Sequence, residues 1–178
     1  MNVTRTPLDG VLVIEPTRFS DDRGFFLESY QDARYGDIGI ADRWVQDNHS
    51  RSAKHVLRGL HFTKHKPQAQ LLTVMRGRIF DVVVDLRPGS STRGKWFGTE
   101  LSDEGPRQVY MPHGFAHGFC VLSDYADLHY KVTQHYDPKD EGGLRWNDPD
   151  VGIQWPVREP IVSDRDRGHP LLRDIGAW

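Results

Sequence analysis

The sequence predicts an all-β protein, an antiparallel barrel or sandwich of the jelly-roll kind with short peripheral helices. Three observations carry that prediction. Short apolar runs recur between turn residues along most of the chain, and the 17 glycines and 11 prolines are scattered rather than clustered. ADLHYKVTQHY alternates cleanly, with Leu128, Tyr130, Val132 and Gln134 facing one way and His129, Lys131 and Thr133 the other. The most helix-like stretch is QDARYGDIGIADRW, where Gly36 and Gly39 keep any helix short.

The elements follow in order. VLVIEP is a short apolar strand stopped by Pro16, and FSDDRGFFLES is a turn leading into a strand from Phe25 to Ser29. WVQDNHSRS is extended and offers Gln46, Asn48 and His49 as hydrogen-bonding groups. The central stretch from His55 to Leu86 reads strand, polar loop, strand, tight turn, strand. KWFGTELS and RQVYMP are further strands, and PHGFAHGF is a tight turn that places His113 and His117. From Asp137 onward the chain is a long irregular wrap rich in Pro, Gly and Asp, with short helical turns at its end.

At 178 residues, residues 1–178 are expected to form a single domain with a sizeable core. A net charge of -2 gives no field to recruit nucleic acid or an acidic membrane surface. No apolar run approaches the ~20 residues needed to span a bilayer, and MNVTRTPLDG lacks the basic-then-apolar pattern of a signal. With Cys120 as its one cysteine the chain forms no internal disulfide, and the profile favours a cytoplasmic protein.

Function is written where ionisable groups interrupt apolar strands. VLRGLHF carries Arg58 and His61, and IFDVVVDL carries Asp81 and Asp85. A charge inside a strand that packs on both sides costs several kcal/mol unless it is paired or used. The repetition of that cost points to a polar pocket in the middle of a barrel. Arg58 and His61 are three apart, so a regular strand sends them to opposite faces. Gly59 is the place for a bulge that turns both inward, between Leu57 and Leu60.

Several chemistries are disfavoured by pattern. PHGFAH resembles the second signature of metal-binding cupin barrels. The first, His-x-His followed by glutamate, is missing, because position 63 is Thr63 and no acidic residue lies between His61 and Asp81. Cys120 in GFCVL reads as a buried thiol, and there is no nucleophile elbow or phosphate-cradling glycine loop. General acid–base chemistry fits better: a histidine beside a carboxylate makes a base, and a barrel-facing tyrosine makes an acid. Each of these residues alone also suits a structural role.

The motifs FSDDRGFFLESY, WVQDNHSRS, VLRGLHF, GRIFDVVVDLR, PHGFAHGFCVLSDYA, YKVTQHYDP, GGLRWNDPDVGIQWP and VSDRD run nearly end to end. Together they resemble the dTDP-4-dehydrorhamnose 3,5-epimerase family. The resemblance implies a cupin jelly-roll barrel with no metal and no other cofactor, acting on a nucleotide-linked 4-keto-6-deoxy sugar. It implies a homodimer whose N-terminal strands reach into the partner's site. It makes His61 the base, Asp166 its partner in a dyad, and Tyr130 the acid on the opposite face of the sugar. It places Gln46, Asn48, Arg58, Asp81 and His117 around the sugar and phosphates, and Tyr136 near the base or sugar. Phe19, Arg23, Phe26 and Glu28 match positions that hold the nucleotide from the neighbouring subunit.

One departure stands out. The family has a lysine where PQAQLL places Gln70, so the donor to the enolate oxygen is neutral unless Lys64 or Lys66 reaches in. A charged donor is worth roughly 1.5–3 kcal/mol against 0.5–1.5 for a neutral one. Alternatives therefore stay open: inversion at carbon 3, carbon 5 or both, a different nucleotide sugar, or a binding module without turnover. A metal-dependent cupin using His61, His65 and His117 is a further rival.

Overall fold

The computed structural model describes residues 1–176. One sheet runs in the order β1 (Asn2–Arg5), β2 (Leu12–Glu15), β10 (Gln108–Met111), β7 (Gln70–Arg76), β12 (Tyr125–Val132), β5 (Gln46–Ala53). The other runs β13 (Glu141–Gly143), β6 (Val56–Thr63), β11 (Phe115–Val121), β8 (Arg78–Asp85), β9 (Trp96–Ser102), with β14 (Ile161–Val162) parallel to β6. All the other strand pairings are antiparallel. Among the described residues helix is limited to α1 (Asp32–Gly36), α2 (Asp164–Arg167) and a 3-10 turn at Leu172–Asp174, as the glycine-broken sequence predicts. None of the described helices is long and apolar enough to cross a membrane.

The main core lies between the sheets. Leu72, Val74, Val109 and Leu128 from the first meet Val83, Leu101, Phe115, Phe119 and Val121 from the second. Strand β8 is buried on both faces: Val83 joins this core, whereas Val82 and Val84 pack outward with Leu60, Phe62, Leu144 and Val151 beneath the C-terminal wrap. That double burial explains why VVV is continuous rather than alternating. Cys120 is buried beside Leu57 and Val162, and burial raises its thiol pKa to about 11, which keeps it inert at neutral pH.

The two aspartates of β8 have different fates. Asp85, the last residue of the strand, serves the loop beyond it and lines no pocket among the described residues. Its carboxylate accepts from the Arg87 guanidinium at 2.8 and 3.0 Å, from Ser90 Oγ at 2.7 Å and from Thr92 Oγ1 at 2.6 Å. Burial works against its charge, but these donors outweigh it and hold the carboxyl well below its ordinary range. The cost of a buried charge is met here by loop pinning.

Strand β6 contains the irregularity that its sequence predicts. His61 pairs with His117 and Arg58 with Phe119, so three steps on β6 oppose two on β11. Gly59 has a φ of 117°, and the Gly59–Leu60 peptide is cis. A Cβ at Gly59 would lie 2.6 Å from Gly118 Cα and 2.7 Å from the His117 carbonyl oxygen. Backbone atoms cannot move aside cheaply, and the φ is strained for an L side chain. Gly59→Ala is therefore expected to destabilise the fold by about 3–5 kcal/mol in denaturant titration. A loss below about 1 kcal/mol would show that the bulge tolerates a side chain.

Candidate active site

The bulge turns both Arg58 and His61 into one cavity of about 430 Å³ between the sheets. The second sheet contributes Arg58, His61, His117 and Phe119, and the first contributes Gln46, Asn48, Ser50, Gln70, Leu72, Tyr130 and Val132. Tyr136, Asp137, Glu141 and Arg165 line it from the segments that follow. Largely apolar strands thus carry polar groups into one hollow, the usual make-up of a small-molecule site.

His61 Nε2 lies 2.9 Å from Asp166 Oδ1, and the other carboxylate oxygen of Asp166 accepts the Gly59 N–H at 3.0 Å. Asp166 is positioned by α2, whose N-cap Ser163 accepts the Asp166 N–H at 3.1 Å. Although burial works against its charge, His169, His61 and the Gly59 amide outweigh that and hold the carboxyl far below its ordinary range. An ionised carboxylate only accepts, so Nε2 of His61 carries the proton and the lone pair sits on Nδ1. Nδ1 is 3.8 Å from Glu141 Oε1, a residue that lines the cavity.

Tyr130 stands on the opposite sheet, paired across the strands with Asn48 and Leu72. Burial raises its pKa, with Glu141 adding to the effect and the Arg58 charge opposing it, so the phenol stays protonated near neutral pH. The fold thus sets an imidazole–carboxylate pair on one wall and a protonated phenol on the other.

His117 is directly opposite His61 in the β6–β11 pairing, and its Nε2 lies 2.6 Å from Asp81 Oδ1. Asp81 is 1% exposed and does not line the cavity; it stands behind His117 and orients the ring. Arg58 is exposed, with its Nε donating to Ser52 Oγ at 2.8 Å. Gln46 Nε2 donates to Asn48 Oδ1 at 2.8 Å, and Gln70 Nε2 to Gln68 Oε1 at 3.2 Å. Lys66 does not replace the missing lysine, because its Nζ is 2.6 Å from Asp137 Oδ2. Lys64 faces a second, neighbouring cavity. The cations lining the main cavity are Arg58 and Arg165.

Phe19, Arg23, Phe26 and Glu28 are not brought to this cavity. The first three lie on the separate hairpin of β3 (Arg18–Asp21) and β4 (Gly24–Leu27). Phe19 and Phe26 are 63% and 69% exposed. Arg23 pairs with Asp21 at 2.5 Å, and Glu28 with Arg34 at 3.3 Å. His65 is exposed and faces the second cavity, so the trio His61, His65 and His117 does not form a ligand set. Among the described residues the cluster with metal-ligand spacing is instead His61, Asp166 and His169.

Sequence reasoning missed Glu141, Arg165 and His169. Arg165 Nη2 meets Glu141 Oε2 at 2.5 Å, and Tyr136 OH donates to the same oxygen at 3.2 Å. Arg165 adjoins Asp166 in VSDRD, which was a usable signal. Glu141 sits in a glycine-rich segment that carries no strand signature of its own.

A family model described as dTDP-4-dehydrorhamnose 3,5-epimerase matches residues 5–174. The chain belongs to this epimerase family. A dTDP-4-dehydrorhamnose 3,5-epimerase of Methanothermobacter thermautotrophicus is 49% identical over 173 residues, covering 96% of this chain and 94% of the relative. A dTDP-4-dehydrorhamnose 3-epimerase of Streptomyces niveus is 45% identical, covering 95% of this chain and 84% of the relative. The crystal structure of a dTDP-6-deoxy-D-glucose-3,5-epimerase from Legionella pneumophila, in complex with dTDP-4-keto-L-rhamnose, superposes with a TM-score of 0.96 at 47% identity. It covers 99% of this chain and 95% of that one. The epimerase family thus includes members named for one inverted centre and for two.

Proposed function

We propose that this chain is a nucleotide-sugar epimerase that inverts carbon 3, carbon 5 or both of a dTDP-linked 4-keto-6-deoxyhexose. The observation that carries the reading is the placement of the His61–Asp166 dyad and Tyr130 on opposite walls of one cavity. A C–H beside a ketone is acidic because its carbanion delocalises into an enolate. His61 Nδ1 takes that proton, Asp166 stabilises the imidazolium that forms, and Tyr130 returns a proton from the other face. Such positioned transfer contributes ~10²–10⁴-fold. The enolate oxygen needs preorganised donors besides, for which Asn48 and Gln70 are the neutral candidates and Arg58 the charged one.

The hairpin β3–β4 supports a homodimer. It joins neither main sheet, and an isolated two-stranded hairpin is marginal in water. Its exposed Phe19, Phe25 and Phe26 suit insertion beside a partner's nucleotide, with Arg23 near the phosphates.

The test is incubation of dTDP-4-keto-6-deoxyglucose with the protein in D2O, followed by NMR. Deuterium is expected at carbons 3 and 5, or at one of them. Binding of the nucleotide sugar without label at either carbon would reduce the chain to a binding module.

A further inference from the structure

The dyad carboxylate has a second histidine beside it. His169 Nε2 is 3.4 Å from Asp166 Oδ1, the oxygen that also meets His61 Nε2. Yet His169 Nε2 is buried and has no hydrogen-bond partner. An orphaned buried nitrogen is uncommon and calls for a physical reason. The ring is held in place by its surroundings. Arg145 donates from Nε to the His169 carbonyl at 3.1 Å and from its backbone N–H to the Pro170 carbonyl at 2.9 Å. Gly143, the residue paired with His61 on β13, leaves the space that the ring fills; a Cβ there would collide with it. The imidazoles of His61 and His169 meet edge to face, 5.5 Å between centroids.

We propose that His61 Nε2, Asp166 Oδ1 and His169 Nε2 form a binding site for a divalent transition cation, zinc by ligand chemistry, and that its occupancy turns the base off. The three donor atoms lie within 4.8 Å of one another. Tetrahedral zinc with nitrogen and oxygen ligands near 2.0–2.1 Å places its donors ~3.3 Å apart, so modest side-chain movement accommodates the ion. Two imidazoles and one carboxylate are a ligand set that zinc favours, leaving a fourth position for water. His169 also lines the second, neighbouring cavity, of about 670 Å³, which shares Phe62, Tyr136, Glu141 and Arg165 with the first.

The consequence for catalysis is a tautomer switch. Zinc takes the lone pair of Nε2, so the ring proton must reside on Nδ1. Nδ1 then faces the sugar as a donor and has no lone pair to accept a proton. Glu141 Oε1, 3.8 Å away, is the acceptor for that proton after a small rotation. Nucleotide-binding groups are untouched, so the ion blocks chemistry and spares binding.

The inhibitory half rests on His61 being the base, as proposed above; the binding half does not. The test is calorimetric titration of chelator-treated full-length protein with zinc chloride, beside solvent-deuterium exchange with and without the ion. One zinc per chain is expected, with exchange lost on loading, restored by EDTA, and dTDP affinity unchanged. His169→Gln is expected to raise the zinc dissociation constant more than about tenfold, whereas His65→Gln leaves it alone. In the unmutated protein, imidazole 15N resonances of His61 and His169 should shift at Nε2 on zinc addition, a readout that does not depend on how the variant folds. Equal zinc affinity in a folded His169→Gln, or no 15N shift at either ring, would overturn the site. Tight binding with those shifts but undiminished exchange would keep the site and remove His61 as the base.

Discussion

His61→Ala is expected to abolish deuterium wash-in beside the ketone, a loss of about 10³-fold or more, while the barrel stays folded. The side chain of His61 is 34% exposed and packs in none of the apolar clusters, so truncation removes a chemical group and little packing. Asp166 keeps the Gly59 N–H and is not stranded. Asp166→Asn is the sharper companion. An amide is near the size of the carboxylate, but it can present a donor to Nε2 and so favour the wrong ring tautomer. In a serine protease the analogous exchange costs ~10⁴-fold, and a fall of about 10³-fold or more is expected here. Because the Asp166 carboxyl is held far below its ordinary range, it stays ionised across the working pH. Its loss should therefore lower the rate at every neutral pH, and not merely shift the profile. Exchange within tenfold of the unmutated protein, in either variant with unchanged melting temperature, would place the base elsewhere.

How much of this was legible beforehand depends on what fixes each element. Strand β12 was readable because Leu128, Tyr130 and Val132 alternate with polar residues on a half-buried sheet. The bulge on β6 was readable because two functional residues three apart need an odd step between them. Strand β1 was not readable: all four residues of NVTR are exposed, so no hydrophobic alternation marks it. Strands β13 and β14 are three and two residues long and exist because β6 offers them an edge, a tertiary cause that local sequence does not encode.

The site divides in the same way. Residues on strands, such as His61, His117 and Tyr130, fall where strand parity and the bulge send them. For Asp81, sequence shows a carboxylate in a buried strand but not whether it meets ligand or a neighbouring ring; the structure sets it against His117. Asp85 looked equivalent to Asp81 and instead pins a loop, because Arg87, Ser90 and Thr92 follow it within seven residues. Asp166 was reached through resemblance alone, and its neighbours Glu141 and His169 were missed. All three come from the irregular wrap after Asp137, where no periodicity reports which way a side chain points.

Tyr130→Phe separates the two halves of the proposed inversion. The substitution keeps the ring and its packing against the inter-sheet core, and among the described residues nothing hydrogen-bonds to the hydroxyl, so stability should change little. What is lost is the proton donor on the wall opposite His61. His61 still removes the proton and can return a deuteron to the face it came from, so label should continue to enter with retained configuration. The inverted product should fall by about 10²–10⁴-fold, the usual weight of a positioned acid. Following label and stereochemistry together by NMR distinguishes the roles: His61→Ala loses both, whereas Tyr130→Phe loses inversion and keeps exchange. Loss of exchange as well would make Tyr130 a donor to the enolate oxygen rather than to carbon. Inversion at the unmutated rate would remove it from the reaction and leave the opposite wall without an acid.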